Sequence, residues 1–129
     1  MRTLRQTAFA ARHPVDTMMA RWHAIGTHTA RLARLAQLGD ARTAAEPDDL
    51  IGVLAAANDW QCELAWQSVE DITAMLHSGM AALDVLESRG IETRIPALAL
   101  WREVDAAQRS LLAMLTATAS NEAPSAATA

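Results

Sequence analysis

Four histidines, fifteen carboxylates and one cysteine are the side chains of this 129-residue chain able to bind a metal, move a proton or act as a nucleophile. His23 and His28 stand five apart, off a common helix face, and no Glu stands three before any His, so the helical di-iron pattern is absent. A single cysteine, Cys62, allows neither a paired-cysteine zinc site nor an internal disulfide, and it reads as a small buried hydrophobe. Glu63, Glu70 and Asp71 with His77 place acids and a base on one stretch, for which a solvated charged face is the simpler reading. No glycine-rich phosphate loop and no nucleophile elbow occurs. The expectation is a protein that is not an enzyme, with no catalytic, cofactor-binding or metal-binding residue.

Trp22, Trp60, Trp66 and Trp101 are the other residues whose type carries weight. Each offers roughly 150–250 Å² of burial, about 4–6 kcal/mol as an upper bound from area. Trp22 and Trp101 fall on apolar stripes and are expected to pack helices together. Trp60 and Trp66 are six apart, about 120° away from the full-turn positions, so both do not easily serve one core. The collar around them suggests an oligomer interface or an adsorbing surface.

Helices must position these side chains. After Pro14, the residues Val15, Met18, Trp22, Ile25, Thr29, Leu32 and Ala36 recur at alternating spacings of three and four, a heptad seam that ends at Gly39-Asp40. Gly26 weakens the middle of this helix. Pro47-Asp48-Asp49 reads as the first turn of a second helix, which can run to about Arg89, with Gly90 as its C-terminal glycine. Its stripe passes Leu50, Leu54, Ala57 and Leu64, carries Gln61 and Ser68 on the same face, and re-forms one position later at Val69, Ile72, Leu76, Leu83 and Leu86. That slip predicts either a rotated seam or a break near Ala65. Pro96 opens a third helix with Leu98, Trp101, Val104, Leu111, Leu112 and Leu115.

The fold expected is all-α, three amphipathic helices with the second long, forming an antiparallel helical bundle or coiled-coil oligomer. Helix packing is assigned to Met18, Trp22, Ile25, Leu32, Trp101, Val104 and Leu111. The apolar surface or interface is assigned to Leu50, Leu54, Ala57, Trp60, Leu64 and Trp66. Residues 1–13 read as a loosely ordered basic segment, 14–119 as one helical domain, and 120–129 as a disordered tail of small residues.

Composition agrees with helices. Of the 129 residues 29 are Ala and none is Tyr, a helix-forming vocabulary. All eleven basic residues are Arg, which reads as coding bias more than as a phosphate-binding design. Residues 1–43 carry a charge of +5 and residues 44–129 a charge of −9, so the two parts should attract each other within a chain or between chains. The acidic excess argues against nucleic acid as a partner. With no signal-peptide run and no transmembrane segment, the expected location is the cytoplasm.

A first amphipathic helix, the acidic entry Pro47 to Leu50, a long Ala-rich and Trp-bearing helix with Gln and Glu spaced along it, and a further amphipathic helix together resemble the phasins. The resemblance covers roughly Val15 to Leu115 and is best from Pro47 to Leu83. It implies a cytoplasmic, oligomer-forming, granule-associated protein that adsorbs to polyhydroxyalkanoate storage granules through amphipathic helix faces, with no catalytic residue. The alternative is a helical adaptor or chaperone-like module holding a partner's helix in a groove lined by Trp60, Leu64 and Trp66.

Overall fold

The computed structural model describes residues 13–38 and 49–116. These form four helices, α1 (Val15–Leu35), α2 (Asp49–Ala56), α3 (Asp59–Ser88) and α4 (Arg94–Thr116), with no strand among them. The basic segment before His13, the Gly39-Asp40 stop, Pro47-Asp48 and the tail lie outside the described residues.

α1 follows from its seam. Pro14 is extended, its carbonyl accepts from Met18 N–H at 3.2 Å, and Pro itself has no N–H to satisfy. The helix runs through Gly26 without interruption, and the buried Thr29 donates its hydroxyl to the Gly26 carbonyl at 3.0 Å. It ends ahead of Gly39. Gln37 adopts φ +59°, its N–H meets the Arg34 carbonyl at 3.0 Å, and Leu38 N–H meets that of Ala33 at 2.9 Å. This is the paired C-terminal closure usually built on glycine. An L-residue in that conformation costs roughly 1–2 kcal/mol, part of which glycine's freedom in the unfolded chain cancels. Gln37→Gly is therefore expected to raise stability by about 0.5–1 kcal/mol, read as a higher urea midpoint at unchanged slope.

The long second helix divides at Ala57 and Asn58, earlier than the expected break near Ala65, which is buried in the unbroken middle of α3. Asn58 takes up extended geometry (φ −78°, ψ 163°), and its N–H donates to Gln61 Oε1 at 2.7 Å, one arm of a capping box. That division explains the slipped stripe. Leu50 and Leu54 belong to α2 and Ala57 to the joint after it, whereas the buried face of α3 begins afresh with Gln61, Cys62 and Ala65 and continues through Val69, Ile72, Leu76, Met80 and Leu83. Leu64 lies off this face and is 48% exposed.

α3 closes at Gly90, which takes φ +74° as the residue type foretells, with Gly90 N–H on the Glu87 carbonyl and Ile91 N–H on that of Leu86. α4 then opens at Arg94, leaving Pro96 within the first turn, where helix N–H groups have no intrahelical acceptor to lose.

Contacts fix the directions. His13 meets Glu63, Arg21 meets Glu70 and Arg31 meets Asp84, so α1 and α3 run the same way. Gln61 reaches the Met114 carbonyl and Gly79 lies so close against Leu100 that a Cβ there would overlap its side chain, so α3 and α4 run opposite ways. An all-antiparallel bundle does not form, because the chain returns between Leu38 and Asp59 to start α3 beside the start of α1. α1, α3 and α4 pack on one another and α2 rests on α4. Met18, Trp22, Ile25, Leu32, Val104 and Leu111 lie in the shared core, and Trp101 packs half-buried against it. The heptad seam of α1 is thus turned inward.

Candidate functional site

The residues able to do chemistry converge on the seam between α1 and α3. His13 Nε2 lies 2.8 Å from Glu63 Oε1, and because a carboxylate only accepts, the imidazole donates. The same ring stacks on Trp66 with centroids 4.4 Å apart and planes 28° apart. Arg21 places its guanidinium 5.3 Å from the Trp66 ring centroid while donating from Nη1 to Glu70 Oε2 at 2.9 Å. Arg31 and Asp84 approach to 3.5 Å farther along. Attraction between the basic and acidic parts of the chain is expressed here, inside one molecule. Each such solvent-facing pair contributes at most about 1 kcal/mol, so the seam aligns helices more than it stabilises them.

This arrangement leaves the candidate acids and bases engaged separately. Glu70 holds Arg21, and Asp71 accepts from Gln67 Nε2 at 3.1 Å. His28 and His77 line an α1–α3 cleft of about 280 Å³ together with Ile25, Leu76, Met80 and Asp84. No group of three His, Cys, Asp or Glu placed to hold a metal occurs among the described residues. Cys62 is buried, its thiol directed at the Leu54 carbonyl at 3.6 Å.

The six residues assigned to an apolar surface do not share one. Leu50, Leu54 and Ala57 are 0–7% exposed and face the interior, because α2 turns that stripe onto the core. Trp66 faces α1 under His13 and Arg21. A groove lined jointly by Trp60, Leu64 and Trp66 is therefore not formed. Trp60 and Leu64, four apart, remain together on the side of α3 turned from the core, Trp60 half-buried and Leu64 exposed.

Sequence reasoning missed a further exposed aliphatic, Ile51, which is 55% exposed on α2. A signal was present: Leu50 to Ala57 are eight residues without a polar side chain, so whichever side of that helix meets water is apolar. The result is an apolar α2 that exposes Ile51 and leads into the first turns of α3, where Trp60 and Leu64 stand next to Asp59 and Glu63. Trp60 adds a further peculiarity, since its indole N–H is buried without a hydrogen-bond partner.

Val85, Ile91 and Ile95 are exposed too, around the α3–α4 turn. There the exposed aliphatics alternate with Glu87, Arg89, Glu92 and Arg94, so that end is charged. No helix among the described residues is long and apolar enough to cross a membrane. Compared with protein families, curated proteins and solved structures, the chain matches none.

Proposed function

We propose that the chain is a non-catalytic coat protein that adsorbs to apolar particles, with polyhydroxyalkanoate storage granules as the most concrete target, as its resemblance to the phasins implies. The observation that carries this reading is the apolar run of α2 with the exposed aliphatics on either side of its junction with α3. The run from Leu50 to Ala57 has no polar side chain, buries Leu50 and Leu54, and still exposes Ile51, ahead of a first stretch of α3 that exposes Leu64.

Exposed aliphatics gain by leaving water at any apolar surface, roughly 25 cal/mol per Å² covered. Of the acids of α3, Glu63 is held by His13 and Glu70 by Arg21, Asp59 buries one carboxylate oxygen, and Asp71 comes two turns after Leu64. The chain's net charge of −4 would keep coated particles apart. Self-association on the particle, expected from the same resemblance, belongs to this proposal.

Co-sedimentation with poly(3-hydroxybutyrate) particles, set against polar agarose beads, tests the reading. Pelleting with the polyester alone supports it, and a protein that stays in the supernatant in both cases overturns it.

A further inference from the structure

Among the described residues, Trp60 presents a donor with nothing to receive its hydrogen. Its ring is half-buried, yet Nε1 is cut off from water and has no partner, an uncommon state because nearly all buried N–H groups are paired. A buried unmade hydrogen bond is costly and an indole N–H can only donate. The nearest acceptor in sequence, Asp59 Oδ1, is buried and unpartnered as well, but neighbouring helix residues project about 100° apart and the two do not meet.

Given the coat reading, on which this step rests, we infer that Trp60 is the side chain with which the protein distinguishes a polyester from a plain hydrocarbon. Turning the indole outward in water would release the buried N–H but would also surrender the ring's apolar contacts to solvent. Against a particle the ring stays covered, by polymer in place of protein. An aliphatic polyester offers carbonyl acceptors and carbon, and along its chain no donors at all. A donor-only group carried on an apolar ring, flanked on α3 by the exposed Leu64, matches that chemistry as a serine, an amide or a carboxylate would not.

Binding isotherms on poly(3-hydroxybutyrate) and on polyethylene particles of equal size test this. Trp60→Phe keeps an aromatic ring and removes the donor. The expected result is about fivefold weaker binding to the polyester, the worth of one ordinary hydrogen bond, with binding to polyethylene unchanged. Trp60→Tyr, which returns an O–H donor, should recover part of the loss, and matching circular dichroism melts would show all three proteins folded. Equal binding of the Phe variant and the parent to polyester, or an equal loss on both particles, would overturn the assignment. If the unaltered protein binds polyethylene but not polyester, the assignment fails while general adsorption stands; if it binds neither, the coat reading fails with it.

Discussion

Replacing Trp22 with Ala is expected to remove about 3–5 kcal/mol of stability, the range for deleting a buried aromatic from a packed core. Trp22 is 1% exposed on α1, between Met18 and Ile25 on the same face, and α1 packs on both α3 and α4. The cavity left would therefore open where three helices meet. Domains of this size hold only about 5–15 kcal/mol in total, so the variant should stand near its unfolding midpoint at modest urea. Trp60→Ala, at a half-buried site, should cost much less. Urea titrations followed by circular dichroism would check both, and equal losses for the two variants would contradict the placement of Trp22 at the centre of the core.

Gln61→Leu is expected to cost about 2–4 kcal/mol even though it puts an apolar side chain of similar size at a position 1% exposed. The buried amide joins two helix ends. Its oxygen accepts from Asn58 N–H at the start of α3, and its nitrogen donates to the Met114 carbonyl at 3.0 Å and toward that of Leu115 at 3.5 Å in the last turn of α4. Leucine can neither accept from the Asn58 N–H ahead of α3 nor donate to the α4 carbonyls, so both lose this partner. Gln61→Glu keeps the acceptor and loses the donor, setting a carboxylate against carbonyl oxygens, and should be no better. Thermal melts of the two variants measure this, and a leucine variant as stable as the parent would mean that the bridge contributes nothing net.

Much of the architecture is legible in local pattern. The α1 seam, the Gly90 closure and the core positions Met18, Trp22, Ile25, Leu32, Val104 and Leu111 follow from three-and-four spacing and from one residue suited to positive φ. What spacing does not report is where one helix becomes two. Gln61 looks like a polar flaw in an apolar stripe, yet it is the residue that caps α3, and reading across it merged α2 with α3 and placed Leu50, Leu54 and Ala57 on the outside.

Long-range pairing was equally hidden. Trp66 looks like surplus apolar area until His13 and Arg21, 53 and 45 positions away in the numbering, close over it. The charge split of the chain foretold attraction but not that α1 and α3 would run the same way. Ile51 became visible only after α2 had chosen which apolar side to bury.

The central claim is that the α2–α3 end, where Ile51 and Leu64 are exposed, is the surface that adsorbs. Its most direct test is saturation binding to poly(3-hydroxybutyrate) particles by the parent protein, by Ile51→Glu/Leu64→Glu, and by Val85→Glu/Ile95→Glu at the opposite, charged end. All four sites are exposed, so both variants should fold as the parent does, within about 0.5 kcal/mol. Losing two apolar contacts should weaken the first variant at least about tenfold and leave the second at parental affinity. Undiminished binding by Ile51→Glu/Leu64→Glu, or a loss confined to Val85→Glu/Ile95→Glu, would contradict it.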